Sequence, residues 1–509
     1  MLEQYVKKII SSRVYDVSIE SPLTPARRLS ERLGVTTHFK REDLQPVFSF
    51  KCRGAYNKIV QLDEAQRAQG VVAASAGNHA QGVALAAQKL GIRAVIVMGR
   101  NTPSIKIDAV KSFGAKVVLH GDGFDDANAY AQKLVKDEGM VFIPPFDDPD
   151  TIAGQGTVGM EIMSQYAGTP GAIFVPVGGG GLAAGVAAFV KYIRPEVRVI
   201  GVEAEGSACL AAAMAAGRRV KLPRETLDQF ADGVSVAQIG KETWKVARRY
   251  VDEVVTADTD EICAAVKDVF DDTRVLAEPS GALAVAGLKK WVQQHADEQA
   301  VLERGLVAIV SGANVNFDRL RHISERAEIG EQREAVLGVT IPEKPGSFLK
   351  FCRALGKRTV TEFNYRFAED STAEVYLGAQ LGDGEQPDDL VEALAAKGYA
   401  AIDMSRNEVA KLHVRHMVGG RVGGAKDEIL YRFEFPERPG ALLKFLGGLG
   451  GRFNISLFHY RNHGSAWGRV LVGFNADASA RKALDAHLDD IGYRYWYESD
   501  NPAFQRFLR

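Results

Sequence analysis

Four short segments, far apart in the chain, carry residues that could do chemistry. In Ser49-Phe50-Lys51-Cys52-Arg53-Gly54 an uncharged residue stands on each side of a lysine, in an extended stretch expected to enter a helix over 55–61. Partial desolvation there would make Lys51 nucleophilic enough for a Schiff base, although most lysines are solvated surface charges and the segment means little alone. Ser75-Ala76-Gly77-Asn78-His79 follows the apolar run at 71–74 and precedes a helix expected over 79–90 and closed by Gly91. The N–H groups of that helix start, with Ser75 and Asn78 as capping side chains, suit a carboxylate; an ordinary N-cap is the plainer reading. Gly178-Gly179-Gly180-Gly181-Leu182 stands between a strand ending at Val177 and a helix expected over 183–193. Each glycine sacrifices several tenths to about 1 kcal/mol of conformational entropy, and the usual compensation is close approach of the backbone to an anion. The run lacks G-x-G-x-x-G spacing, so a phosphate monoester fits better than a pyrophosphate. Ser311-Gly312-Ala313-Asn314 delivers a small hydroxyl at the sheet edge after a strand ending at Val310, and alone reads as an N-cap. No histidine spacing suits a metal, and no G-x-S-x-G elbow supports a serine hydrolase.

The elements that must position these segments alternate between strand and helix from about Leu33 to Arg326. Apolar runs at 94–98, 116–119, 172–177, 197–202 and 306–310 read as buried strands of a mostly parallel α/β sheet, with the ligand segments at or just beyond the strands' carboxyl ends. After about Glu334 the character changes to an internal repeat. The stretch from Val339 to Phe351, with Pro345, Gly346 and Phe348, recurs about 94 residues later as Phe433 to Phe445, with Pro439, Gly440 and Leu442. Tyr365 lines up with Tyr460 after a one-residue slip. Each copy reads strand, Pro-Gly turn, helix, strand, strand, helix; a packing or oligomerisation role is the bland reading, and regulation of an enzyme the favoured one. The segment Asp383 to Asp389 reads as a solvated loop.

The chain's 509 residues exceed one hydrophobic core and imply two or three domains. With 63 basic against 64 acidic residues, no nucleic acid is electrostatically implied. The four cysteines show neither disulfide nor zinc spacing, which fits a reducing cytosol. Leu2, Tyr5, Val6, Ile9 and Ile10 recur at helical spacing with lysines between them, so no secretion signal is expected. No apolar run approaches the roughly 18 residues of a membrane helix, and a cytoplasmic location without membrane partners follows as an expectation.

An amine nucleophile, a phosphate cup, a carboxylate site and a hydroxyl for a heterocycle nitrogen together describe a pyridoxal 5'-phosphate enzyme. Through Ser-Phe-Lys-x-Arg-Gly, Ser-x-Gly-Asn-His, the glycine run, Ser-Gly-Ala-Asn and the doubled Pro-Gly module, essentially the whole chain resembles the tryptophan-synthase-β-like (fold type II) pyridoxal-phosphate family. Within it the closest resemblance is to the biosynthetic threonine deaminases, the long form with two ACT-like regulatory modules. The resemblance implies an α/β catalytic domain of two parallel-type subdomains at 1–330, then α+β modules at 333–411 and 412–509. It implies Lys51 as Schiff-base lysine and general base, Asn78 beside the cofactor's phenolic oxygen, Gly178 to Leu182 on the phosphate, and Ser311 facing the pyridine nitrogen. Ser75, Gly77, Asn78 and His79 would grip the substrate carboxylate, and the residues of the doubled module would bind effectors. The implied reaction takes threonine to 2-oxobutanoate and ammonia, entering isoleucine synthesis, with some activity on serine. Isoleucine inhibition, a possible opposing effect of valine and a homotetramer are implied likewise. Local motifs leave a serine dehydratase, a racemase or a β-replacing synthase open; a non-enzymatic sensor would not need Lys51.

Overall fold

A computed structural model of the chain describes residues 1–331, 333–342, 347–356, 358, 360–365, 372–382, 384–416, 428–436, 454–461, 467–476 and 478–508. It divides into two compact units, Met1–Ala327 and Glu328–Arg509.

The first unit is built on two sheets. The larger runs in the order Leu23–Pro25, Thr37–Arg41, Leu306–Val310, Ala172–Pro176, Arg198–Ala204, Glu253–Ala257. Every pairing is parallel except that of the short Leu23–Pro25 strand. Ala172–Pro176 and Leu306–Val310 are buried at every position, which is why they read as continuous apolar runs instead of alternating ones. Phe174, Ile200, Val202 and Trp291 fill one face of this sheet; Ile173, Val175, Val199 and Leu182 fill the other. The smaller sheet, all parallel, runs Lys116–Leu119, Ala94–Met98, Val71–Ala74, Val141–Phe142. In each sheet the strand order reverses at one place: between Ala172–Pro176 and Leu306–Val310 in the larger, and beside Val71–Ala74 in the smaller. Crevices for ligands form outside the carboxyl ends at such switch points, and the glycine run, Ser311 and Ser75-Gly77-Asn78 all leave the sheets there.

Strands expected over 94–98, 116–119 and 306–310 have those bounds, but Lys116–Leu119 is not the buried strand expected: it lies at the edge of its sheet with Lys116 and Leu119 exposed; those expected over 172–177 and 197–202 run 172–176 and 198–204. Helix starts differ more. Lys51 is the first residue of the helix Lys51–Val60 and not part of an extended stretch, because Gly54 lets this helix press against Pro149–Gln165: a Cβ at Gly54 would lie 2.7 Å from Thr151 O. The helix Asn78–Leu90 is N-capped by Gly77, so Ser75 and Asn78 do not cap it. Ser311 begins no helix; the next one is Arg319–Gly330.

The second unit contains two four-stranded antiparallel sheets of identical order. In the first, Val360–Tyr365, Thr372–Gln380, Glu334–Pro342 and Ala400–Asp403 lie side by side; in the second, Asn454–Arg461, Trp467–Asn475, Glu428–Pro436 and Arg494–Tyr497 do. The fourth strand of each was not foreseen: four residues, half-buried at nearly every position, give no alternation to read. The stretch expected as a loop over 383–389 instead runs into the helix Pro387–Ala395, started by a Gln386–Asp389 capping box, with Glu385 on Arg358 at 2.6 Å.

Candidate active site

The four segments meet. Phe50 N–H donates to Ser311 O at 3.2 Å and Ser49 bridges Gly312, which ties the lysine segment to the hydroxyl segment. A Cβ at Gly82 would stand 3.0 Å from the Lys51 carbonyl, so that glycine lets the helices Lys51–Val60 and Asn78–Leu90 close together. Lys51 Nζ donates to Pro145 O at 3.3 Å, and the next residue, Phe146, lies against Gly179 and Gly181. Burial pushes the Lys51 amine down to about 8, with Glu278 opposing the shift. That is the desolvated lysine the sequence suggested, reached through a helix terminus.

Below it, a buried ion network fixes the helix that carries Lys51. Arg53 donates to Glu42 at 2.7 Å and to Glu161 at 2.5 Å, and Lys40 Nζ reaches Glu161 at 2.6 Å; all four side chains are essentially fully buried. Charges out of water persist only when paired this completely. Cys52, whose thiol burial holds up at about 11, faces Ser18 Oγ at 3.3 Å and not the site.

Along the glycine run, the first backbone N–H after Val177 to find a partner among the described residues is that of Ala184, on Gly180 O at 2.9 Å. The N–H groups from Gly178 through Ala183 therefore form an unpartnered cradle at the N-terminus of the helix Gly181–Ile193, a ready anion site. Protein packing also demands the glycines: a Cβ at 179 would enter the Phe146 ring at 2.2 Å, and Gly180 has φ +88°. The two requirements together explain four in a row.

At the smaller sheet, Ser75 Oγ accepts from Gly77 N–H at 3.3 Å. The first turn of the helix Asn78–Leu90 leaves the N–H groups of Asn78, His79 and Ala80 without a backbone partner among the described residues, since Gln81 is the first to bond back, to Gly77 O. The His79 ring is not aimed at this turn: Nε2 donates to Ile143 O at 2.8 Å, and burial beside the Lys51 charge holds the imidazole down at about 3, hence neutral. Its backbone N–H is what it can offer a carboxylate.

Ser311 Oγ donates to Ser280 O at 3.2 Å and is buried. Sequence reasoning missed Glu278, whose carboxyl accepts from Asn78 Nδ2 at 2.5 Å and is pushed up to about 7 by burial and by Asp232. It also assigned no role to Asn314, which donates to Asn78 Oδ1 at 2.7 Å. Glu278 stands just before Pro279 at a helix start, an unremarkable Glu-Pro-Ser-Gly string; only the tertiary fold brings it beside Asn78. Among the described residues no metal-ligating cluster occurs. Two buried hydroxyls near the site, Ser49 Oγ and Ser280 Oγ, have no partner among the described residues, so the N–H cradle, the desolvated amine and spare hydroxyls fit a phosphorylated cofactor with an aldehyde. Of the doubled module, Pro345, Gly346, Pro439, Gly440 and Leu442 lie outside the described residues; Phe348 falls in the helix Ser347–Leu355, Tyr365 in the strand Val360–Tyr365 and Tyr460 in the strand Asn454–Arg461.

Fold and site define a pyridoxal-phosphate-dependent enzyme, and the family model for pyridoxal-phosphate dependent enzymes matches residues 15–312. The C-terminal regulatory domain of threonine dehydratase matches twice, at 325–414 and 419–508. The L-threonine dehydratase biosynthetic IlvA of Pasteurella multocida is 53% identical over 99% of this chain and 97% of its own length. That of Escherichia coli is 51% identical over the same shares. Among solved structures, the processed form of threonine deaminase isoform 2 from Solanum lycopersicum is 49% identical with a TM-score of 0.61, covering 64% of this chain and 93% of that one. The chain belongs to the biosynthetic threonine dehydratases, pyridoxal-phosphate-dependent lyases with a C-terminal regulatory region.

Proposed function

We propose that this chain dehydrates and deaminates L-threonine to 2-oxobutanoate and ammonia, with some activity on L-serine, as the committed step toward isoleucine under isoleucine feedback. The observation that supports it most is the meeting of a desolvated Lys51 with the unpartnered N–H cradle, in a chain whose other unit is a duplicated regulatory domain. Bound there, pyridoxal phosphate supplies the electron sink for the charge left on the α-carbon. Lys51, poised near neutrality, removes the α-proton and holds it at Nζ. Gly178 to Leu182 bind the phosphate through backbone N–H groups, and Asn78 donates to the phenolic oxygen. Ser311, whose hydroxyl can rotate away from Ser280 O, would offer the cofactor's ring nitrogen a neutral hydrogen-bond donor. The Ser75 hydroxyl and the backbone N–H groups of Gly77, Asn78 and His79 orient the substrate carboxylate.

In this reading residues 1–330 catalyse. The modules at 333–411 and 412–509 bind isoleucine and, opposing it, valine, through Pro345, Gly346, Phe348 and Tyr365 and their counterparts Pro439, Gly440, Leu442 and Tyr460. The enzyme works as a cytoplasmic homotetramer; the buried cysteines Cys52, Cys209 and Cys263, none of them in a disulfide, suit a reducing compartment. Supplying threonine or serine and measuring 2-oxo acid, with and without isoleucine, tests it. No threonine-dependent 2-oxo acid from cofactor-loaded protein would overturn the reading.

A further inference from the structure

The Asn78 amide is held at both ends by side chains, and a backbone carbonyl sets the direction of the whole chain of bonds. Asn314 Nδ2 donates to Val47 O at 2.8 Å and to Asn78 Oδ1 at 2.7 Å. A carbonyl only accepts, so the nitrogen of Asn314 must be the atom near Val47; the oxygen of Asn78 must then face Asn314, and its nitrogen must face Glu278. Glu278 Oε1 accepts from that nitrogen at 2.5 Å. One N–H of Asn78 is thereby spent, and the second has no partner among the described residues.

Several features serve the placement of Glu278. It is the N-cap residue of the helix Pro279–Gln294 but makes no side-chain cap bond there, so its carboxyl is given to Asn78 instead. It is buried, with 6% exposure. A Cβ at Gly312 would lie 2.5 Å from Glu278 Oε1, so the glycine lets the carboxyl sit where it is without being pushed aside. This accounts for a glycine and an asparagine in Ser311-Gly312-Ala313-Asn314: one makes room for the carboxyl and the other orients the amide from the far side. Asn78 could otherwise turn its oxygen toward the site and repel an anionic ligand atom.

We propose that Glu278 is a positioning residue, holding the Asn78 amide so that its remaining N–H is presented to the phenolic oxygen of the cofactor. The proposal rests on the reading of Asn78 as the partner of that oxygen.

The test uses the full-length, cofactor-loaded protein and reads the position of the cofactor's visible absorption band and the cofactor dissociation constant, beside kcat and KM. Glu278→Met removes the acceptor at similar volume; a displaced band and about tenfold weaker cofactor binding are expected, the scale of one lost hydrogen bond to a charged partner. Glu278→Gln still offers an oxygen to Asn78 and is expected to keep the band where it is. In an Asn78→Ala background, Glu278→Met is expected to add nothing. A band and dissociation constant unchanged by Glu278→Met would overturn the proposal, and so would an equal further loss in the Asn78→Ala background. If Asn78→Ala itself left the band unmoved, the reading of Asn78 would fail, and the proposal with it. Should Glu278→Met not yield folded protein, Asn314→Asp decides the matter from the other end: an acceptor there forces the amide to reverse, and an unmoved band would again overturn the proposal.

Discussion

A lysine held near 8 in place of its ordinary 10.5 has consequences that are measurable without any turnover. At pH 7 about one amine in eleven is then neutral, against about one in three thousand for a solvated lysine, a gain of about 300-fold in the reactive form. Competitive acylation of the cofactor-free protein, followed by mass spectrometry of the Lys51 peptide, should give a labelling profile with its midpoint near pH 8, while surface lysines follow profiles above pH 10. Glu278 raises the amine's value, so Glu278→Gln should move the midpoint lower still. The same shift affects stability. Because the folded value lies below the unfolded one, stability falls as pH drops from about 10.5 to about 8 and stays reduced below that. The full linkage would be about 3 kcal/mol, and the partial solvent access of the side chain brings it to about 1–3 kcal/mol. Cofactor-free Lys51→Met should accordingly resist denaturant better than the unaltered protein at pH 7, and the difference should vanish near pH 11. A Lys51 midpoint at or above pH 10 would refute the reasoning, since the burial invoked for the amine would then be absent.

Lys51→Ala should abolish threonine dehydration while leaving circular dichroism unchanged, because nucleophile and base are one atom; more than a trace of 2-oxo acid would remove Lys51 from its role. Gly179→Ala puts a methyl 2.2 Å from the Phe146 ring, an overlap of the kind that costs about 1–3 kcal/mol; about tenfold weaker cofactor binding by equilibrium dialysis, partly restored by Phe146→Ala, is expected. Ser311→Asp should protonate the ring nitrogen, slow elimination and divert cofactor into the pyridoxamine form, visible in the absorption spectrum. A chain ending at Gly330 keeps the helix Arg319–Gly330 whole and should retain threonine dehydration while losing its response to isoleucine, as dose-response curves on both proteins would reveal.

What could be read from sequence follows from how local each signal is. The strands Ala94–Met98 and Leu306–Val310 announce themselves because burial on both faces makes them apolar runs, and Gly178 to Gly181 because nothing ordinary explains four glycines. The start of the helix Lys51–Val60 was illegible because tertiary packing at Gly54 sets it, not a capping residue: Phe50 is its N-cap and makes no side-chain bond. Capping reasoning failed at Asn78 for a related cause. Its amide is committed to Glu278 and Asn314, residues about 200 and 236 positions away, and no spacing rule reaches that far.

The repeat carries the same lesson in the second unit, where periodicity was plain but its structural consequence was not. Val336 N–H donates to Ser405 Oγ at 3.0 Å, and Leu430 N–H to Ser499 Oγ at 2.8 Å, equivalent bonds about 94 residues apart. Each copy then starts a short helix at an asparagine, Asn407 before Glu408–Leu412 and Asn501 before Pro502–Phe507, and the two caps bond to each other at 3.1 Å. Those helices do not serve their own copies alone. Val409, Ala410, Phe504 and Phe507 lie in one buried cluster with Tyr376 of the first sheet and Leu471 of the second, and Phe507 meets the Tyr376 ring edge-on at 5.7 Å. Arg506, from the end of the second copy, donates to Thr340 and pairs with Glu374 in the first. A shared core of this kind makes each sheet's packing depend on the other's. A ligand that shifts one copy must therefore shift the cluster both copies use, and a two-state element that two sites can bias is the physical requirement for coupling between them.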